Sequence, residues 1–219
     1  MNRPLLLLLV GLCFPFAALA ADTTGLDSRL LELQRAWAHV NYEVQGDDAQ
    51  ANAFEALEKR AAALVADYPD RAEPLIWDGI ILSSQAGAQG GLGALGLVKK
   101  ARKDYERAID IDSGALEGSA HTSLGVLYYK VPGWPLGFGS NDKAETQLQQ
   151  ALSINPDGID PNYFYAQYLV DEKEDYRGAL HYLDKAAAAT ARPQRPLADK
   201  GQRDEIRALR EQAEAHIGD

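Results

Sequence analysis

The chain has 219 residues, a formal net charge of −10 at pH 7 and one cysteine. An acidic chain without a basic stripe is a poor candidate for binding nucleic acid, whose recognition depends on clustered lysine and arginine. A single cysteine excludes an internal disulfide. The length is sufficient for one domain with a substantial core.

The N-terminal segment predicts a secretory signal peptide over residues 1–20. Arg3 supplies a positive charge, and a leucine-rich apolar stretch follows it until Pro15. The sequence Ala-Leu-Ala that ends at Ala20 has the small-x-small pattern of a cleavage site. We therefore expect a periplasmic protein that is exported, cleaved after Ala20 and folded as one domain over residues 21–219.

Two other interpretations of this segment remain open. An uncleaved segment could anchor the chain, since the apolar stretch approaches the length of a membrane span. Lipid attachment at Cys13 is the other interpretation, but Leu12 is larger than the residue that lipoprotein processing requires before the cysteine. Cleavage after Ala20 would remove Cys13 and leave a mature chain without a thiol. No later apolar stretch is long enough to span a membrane.

The first part of the mature chain indicates a degenerate pair of helices. Apolar residues recur at helical spacing over residues 26–42 and 51–68. Pro69 marks the end of the second helix, because proline cannot donate the next backbone hydrogen bond.

Three further pairs carry the residue pattern of a tetratricopeptide repeat. Leu124, Gly125 and Tyr128 match the L-G-x-x-Y core of a first helix, and Pro156 ends its partner. Small residues are needed where the two helices cross, and large apolar residues fill the space between neighbouring units. The same register recurs in the other first helices at Leu75, Gly79 and Leu82, and at Ala166 and Leu169. In the second helices it occupies Ala101, Tyr105 and Ala108; Ala144, Leu148 and Ala151; and Ala179, Leu183 and Ala186.

A last helix near residues 197–216 has apolar residues on one side and predicts a polar-faced cap, which repeat proteins need at their ends. The predicted fold class is all-α. It is a tetratricopeptide-repeat-like α-solenoid of about three to four helix pairs plus a C-terminal capping helix.

Two of the predicted pairs exceed the usual repeat of about 34 residues. Gly79 and Gly125 lie 46 residues apart, and the excess falls between first and second helices, in SSQAGAQGGLGALGLVKK and in KVPGWPLGFGSND. We expect both insertions to leave one edge of the solenoid, where inserted segments often build a binding face. Trp134 and Phe138 are predicted to approach residues 87–96 and to close one end of the concave groove.

The first insertion also fits G-x-G-x-x-G at Gly91, Gly93 and Gly96. In a dinucleotide site this pattern follows a strand and opens a helix, whereas here it lies between two repeat helices. A flexible connection is therefore the expected structure, although amides at the start of the next helix could meet a ligand anion.

First helices of tetratricopeptide repeats line the concave groove, which is expected to be apolar and aromatic with few charges. The candidate binding residues are Ile76, Ile80, Val126, Tyr129, Trp134, Phe138, Asn162, Tyr163 and Gln167. The four histidines lack metal-ligand spacing, and no nucleophile elbow, phosphate loop or acid pair stands out. No catalytic residue, cofactor or metal site is predicted.

The chain resembles the periplasmic T component family associated with some TRAP-type transporters. The resemblance lies in two stretches, GGLGALGLVKKARKDYERAIDID and VPGWPLGFGSNDKAETQLQQALSINPDGIDPNYFYAQYL. The resemblance extends over roughly residues 74–168, about half of the mature chain. It implies an all-helical tetratricopeptide-repeat protein, oligomeric in some cases, that partners a periplasmic solute-binding subunit. Cys13 sets this chain apart from lipid-anchored members, because its surroundings suit lipidation poorly.

Two functions remain open at this point. One is a non-catalytic module that docks a protein partner, such as a transporter's solute-binding subunit, on a rigid surface that loses little entropy on binding. The other is a carrier or chaperone of a small apolar or amphipathic ligand, held between the groove and the edge loops. A homo-oligomer is compatible with either, and an enzyme has no site constellation to support it.

Overall fold

The computed structural model describes the backbone of residues 17–218 and the side chains of residues 25–218 apart from that of Leu92. This part of the chain is all-helical, which confirms the predicted class at that level. The predicted signal peptide and Cys13 lie outside the described residues, save for the backbone of residues 17–20, so export stays a prediction. The helices are α1 (Ala17–Glu43), α2 (Asp47–Asp67), α3 (Ala72–Gln89), α4 (Gly91–Ile111), α5 (Ala115–Lys130), α6 (Asn141–Ile154), α7 (Ile159–Lys173), α8 (Tyr176–Ala188) and α9 (Pro196–Gly218).

The first insertion is helical, and the prediction of a flexible connection there was wrong. Helix α3 runs to Gln89 and α4 begins at Gly91, so Gly90 alone joins them, with a φ of 61°. A positive φ costs glycine little, because it has no Cβ. The alanines and leucines on either side are good helix formers, so they extend both helices toward the turn.

Sequence neighbours pack against one another along the chain, and two close crossings lie within pairs. At Gly79 of α3, a Cβ atom would lie 2.5 Å from the ring of Tyr105 in α4. At Gly125 of α5, it would lie 2.7 Å from Leu148 Cγ in α6. Both glycines are therefore required by close packing, as the sequence pattern indicated.

The two ends of the helical array meet. Helix α9 packs against α8, and it also contacts α1 at the other end of the chain. Arg35 Nε of α1 donates a hydrogen bond of 2.9 Å to the carbonyl oxygen of Gln194, just before α9. The ring of Tyr42 lies against Gly201 of α9. Helices α1, α3, α5, α7 and α9 consequently surround a central cavity.

None of the helices, within the portion described, combines the length and the apolar character that a membrane crossing would require.

Candidate functional site

The central cavity has a volume of about 370 Å³. This volume lies within the range of small-molecule sites, about 300–1,000 Å³. Its wall comes from the first helix of each pair, from Tyr105 of α4, and from Arg195 and the first half of α9. The aromatic residues that line it are Trp37, Tyr42, Trp77, Tyr105, Tyr163 and Phe164.

The aromatic wall is held by contacts among its own members. Trp37 meets Trp77 edge-on with 5.9 Å between ring centroids, and it meets Tyr42 at 6.0 Å. Trp37 Nε1 also donates a hydrogen bond of 2.9 Å to Ser84 Oγ. Edge-on aromatic pairs contribute about 0.5–1.5 kcal/mol each beyond their buried area. The wall that joins α1 to α3 is therefore ordered before any ligand arrives.

Hydroxyl groups form a second part of the wall on α3 and α5. Ser83 Oγ donates to the carbonyl oxygen of Gly79 at 2.8 Å, and Ser84 Oγ donates to that of Ile80 at 2.9 Å. These hydroxyls are satisfied within their own helix. These satisfied hydroxyls leave this part of the wall compatible with an apolar ligand, although Nε1 of Trp77, also on α3, is buried without a hydrogen-bond partner.

An ion-pair network fixes the connection between α8 and α9. Arg192 Nη1 donates to Asp160 Oδ2 at 2.9 Å, and Arg192 Nε donates to Asp199 Oδ1 at 2.6 Å. Arg192 also donates to Gln202 Oε1 at 3.1 Å. Since Asp160 belongs to α7, the network ties the start of α9 to that helix.

Two further charged side chains line the cavity beside this network, Arg195 and Glu205. The guanidinium carbon of Arg195 lies 5.2 Å from the centroid of the Trp77 ring, and its Nε is buried without a hydrogen-bond partner. Burial, followed by the charge of Arg192, lowers the pKa of Arg195.

Glu205 carries a proton more readily than an exposed glutamate. Burial raises its pKa to about 7, and the charge of Asp160 adds to the effect. A hydrogen bond from Tyr42 opposes this shift. Burial also raises the pKa of Tyr42. Below neutral pH the cavity therefore loses one negative charge at Glu205.

Four of the predicted binding residues border the cavity, namely Ile80, Val126, Tyr163 and Gln167. Tyr129 lies outside the lining, where its hydroxyl donates a 2.8 Å hydrogen bond to Gln167 Oε1. It can therefore orient a lining residue without reaching the cavity itself.

Ile76 and Asn162 are fully buried in the protein interior. Asn162 Nδ2 donates to the carbonyl oxygens of Pro156 and Gly158 at 2.9 and 2.8 Å. Asn162 thus holds the start of α7. Ile76 packs in a core cluster with Ala72 and Leu75.

Trp134 does not close the cavity, and that prediction was wrong, because its side chain is 90% exposed. Phe138 packs edge-on against Tyr128 with 5.9 Å between centroids and lies beneath Arg102. The physical reason is local. Residues 131–140 fold back on themselves, with Gly139 N donating to the carbonyl oxygen of Pro132 at 3.0 Å. Helix α9, rather than this segment, completes the wall.

The lining residues near the two ends of the helical array were not predicted from the sequence. Trp37 and Tyr42 lie on α1, Arg195 immediately precedes α9, and Glu205 lies in the middle of α9. The rule that first helices line the groove, applied to the degenerate leading pair, would have found Trp37. The α9 residues gave no such signal, because their position depends on contact with the opposite end of the chain.

Across the described residues, no cluster of three or more histidine, cysteine, aspartate or glutamate side chains has a geometry suited to a metal ion. His121 instead pairs its Nδ1 with Gln147 Oε1 at 2.7 Å.

No protein-family model matches the chain, and no curated protein is significantly similar to it.

Proposed function

We propose that this protein is an exported, non-catalytic binding protein that holds a small apolar or amphipathic ligand in its central cavity. The cavity carries the proposal. It has a volume of about 370 Å³, six aromatic side chains in its wall, and charged groups at α7, at α9 and at the residue that precedes α9. Mostly apolar walls with a few polar groups are typical of small-molecule sites.

The proposed architecture is a tetratricopeptide-like solenoid. Support comes from the pairs α3–α4 and α5–α6, in which Gly79 and Gly125 permit close crossings against Tyr105 and Leu148.

The proposed location is the periplasm, and its support is the signal-peptide pattern that ends at Ala20. N-terminal sequencing of periplasmic material tests the location, and a first residue other than Ala21 would contradict it.

Tryptophan fluorescence offers a direct test of ligand binding. Two of the three tryptophans, Trp37 and Trp77, line the cavity, and the third, Trp134, is exposed. In a Trp134→Phe background the emission therefore reports on the cavity. Octanoate and 3-phenylpropanoate should shift this emission saturably. Native mass spectrometry of protein purified without denaturation should also detect a bound small molecule.

A cavity-filling variant separates binding in the cavity from binding elsewhere. Val126→Trp should occupy part of the space and weaken binding of both probes by about tenfold or more. Leu136→Ser is the matched control, because Leu136 is 68% exposed and lies outside the cavity wall. Equal binding by wild type and Val126→Trp would contradict the proposed site.

Docking of a protein partner is the second candidate, and the segment 131–140 favours it. Trp134 and Leu136 are 90% and 68% exposed on a segment that its own backbone hydrogen bonds hold, including Ser140 N to Tyr128 O at 2.8 Å. Exposed aromatic and aliphatic side chains on an ordered segment are typical of interface anchors. The resemblance to T components makes a periplasmic solute-binding subunit the partner of choice.

Alanine substitution tests this second function. Trp134→Ala should weaken association with a co-purified solute-binding subunit by about ten- to a hundredfold. The cavity variant Val126→Trp should leave that association unchanged. Sedimentation of the isolated protein tests the accompanying proposal of a homo-oligomer, and loss of self-association in Trp134→Ala would instead assign the segment to a contact between copies.

A further inference from the structure

Arg192 and Arg195, three residues apart beside the cavity, differ in how their charges are compensated. Arg192 is paired with Asp160 and Asp199. Arg195 forms no ion pair or side-chain hydrogen bond with any residue that the structure describes. The neighbouring carboxylates of Asp160 and Asp199 form ion pairs with Arg192, so the charge of Arg195 has no ion-pair partner of its own among the described residues.

The environment of Arg195 makes that charge costly. Its Nε is buried without an acceptor, and the ring of Trp77 covers the guanidinium at 5.2 Å. A buried donor without an acceptor destabilises a protein, and a charged donor does so more strongly. Such costs concentrate at functional sites, where a ligand supplies the missing partner.

Arg195 also borders open space. It lines the central cavity and a second cavity of about 350 Å³ between α1 and residues 193–198. Trp37, Tyr163 and Phe164 line the central cavity as well. The combined site thus offers one unpaired cation and an aromatic wall, which suits a ligand with one anionic end and an apolar body.

We propose that Arg195 binds the carboxylate of the ligand, so that the ligands of this protein are compact monocarboxylic acids with an aromatic or aliphatic body. This inference rests on the proposed ligand-binding function. A guanidinium presents parallel N–H groups that match the two oxygens of a carboxylate. A dianionic group would exceed the single available charge, because Asp160 and Glu205 also border the cavity. The volume accommodates roughly a dozen water-sized groups, which limits the acid to a compact one.

Paired probes test the charge requirement. Octanoate and 3-phenylpropanoate are compared with their neutral amides, octanamide and 3-phenylpropanamide, by cavity tryptophan emission and by calorimetry. The carboxylates should bind wild-type protein at least about tenfold more tightly than the amides. Removal of the positive charge in Arg195→Gln should weaken carboxylate binding about 10- to 100-fold and change amide binding less than about twofold. Carboxylate binding by Arg195→Lys should be weaker than in wild type and stronger than in Arg195→Gln, because lysine keeps the charge without the planar guanidinium.

A matched control and a stability measurement exclude a purely structural role. Arg177→Gln removes an exposed arginine from α8 and should leave both probe classes unaffected. Arg195→Gln should melt at the same or a higher temperature than wild type in the absence of ligand, because a partly buried charge without an ion-pair partner is gone. A lower melting temperature with unchanged probe preference would assign Arg195 to the fold. Arg195→Met, which keeps the apolar stem, replaces the glutamine variant if that one does not fold, and failure of both overturns the inference.

The outcomes separate this inference from the proposed function. Equal binding of acids and amides, or a preference that survives Arg195→Gln, overturns the role of Arg195 while the cavity still binds ligands. Absence of binding by all four probes, together with no small molecule in native mass spectra, removes the proposed function and the inference with it.

Discussion

The aromatic ring of Tyr42 in α1 lies directly against the backbone of Gly201 in α9, where a Cβ atom would overlap the ring carbons. This contact joins the two ends of the helical array and forms one side of the cavity wall. Gly201 is itself buried in α9. Glycine has poor helix propensity, but its lack of a side chain allows α9 to approach the ring of Tyr42 closely.

Gly201→Val should therefore separate α9 from α1. We expect the free energy of unfolding to fall by about 1–3 kcal/mol, because the added side chain overpacks the contact. Urea denaturation measures the change. Gly96→Ala is the matched control, since a Cβ there meets nothing within 4 Å and the residue lies inside α4. It should raise stability by about 0.5–1 kcal/mol. A Gly201→Val protein as stable as wild type would show that the two helices do not need this approach.

The crossing of α5 and α6 gives a second prediction. A Cβ at Gly125 would lie 2.7 Å from Leu148 Cγ and 3.2 Å from the carbonyl oxygen of Ala144. Gly125→Leu should lower the free energy of unfolding by about 1–3 kcal/mol or more, because backbone on one side cannot yield. A melting temperature unchanged from wild type would remove this pair from the tetratricopeptide assignment.

Asp104 of α4 predicts how stability depends on pH. Burial, followed by the charge of Asp78, raises the pKa of Asp104 to about 7, while Lys100 and Arg107 oppose the shift. The folded protein thus holds this proton more tightly than the unfolded chain, and the stabilisation is present at low pH and lost as the pH rises toward 7. Asp104→Asn mimics the protonated acid.

The free energy of unfolding of Asp104→Asn, relative to that of wild type, should accordingly rise by about 1–2 kcal/mol when the pH is raised from about 5 to about 8. Urea denaturation at the two pH values measures the difference. Asp110→Asn, on the exposed side of the same helix, should show no such gain. An equal rise in the unfolding free energy of both variants would show that the lost net charge, rather than the raised pKa of Asp104, causes the effect.

Glu205 predicts a pH dependence of carboxylate binding. Its pKa of about 7 makes it anionic at alkaline pH, where it joins Asp160 in repelling a ligand anion. Tyr42 faces it from α1 and stays neutral, and Arg195 contributes the attracting charge. Octanoate should therefore bind about three- to tenfold more tightly near pH 6 than near pH 8. Glu205→Gln should remove this dependence, whereas a dependence that persists would place the titrating group elsewhere.

The sequence was informative where structure follows from neighbours along the chain. The small residues Gly79 and Gly125 predicted close crossings, and their ideal Cβ contacts agree. The span of α9 was also anticipated within two residues at each end. Ile80, Val126, Tyr163 and Gln167, expected in the groove, do border the cavity.

The other features of the fold and of the site depend on long-range packing, which a local sequence pattern does not predict. Trp134 was expected to cover the groove because its segment is apolar, yet the segment folds on its own carbonyl groups and leaves that ring in solvent. Glycine content suggested a loop at residues 87–96, but helix propensity on both sides of Gly90 prevailed. Arg195 gave no signal, because an unpaired charge becomes evident only once its neighbours are known.

The hydrogen bond from Arg35 to the carbonyl oxygen of Gln194 links positions 159 residues apart. Most other helix contacts join neighbours in sequence, and local contacts form early because little chain entropy is lost in closing short loops. We therefore expect the contact between α1 and α9 to form late in folding. The same contact completes the cavity, so fluctuations that detach α9 from α1 would open the cavity to solvent. Amide hydrogens of α9 should exchange with solvent faster than those of α3 and α5, and a bound ligand should slow them.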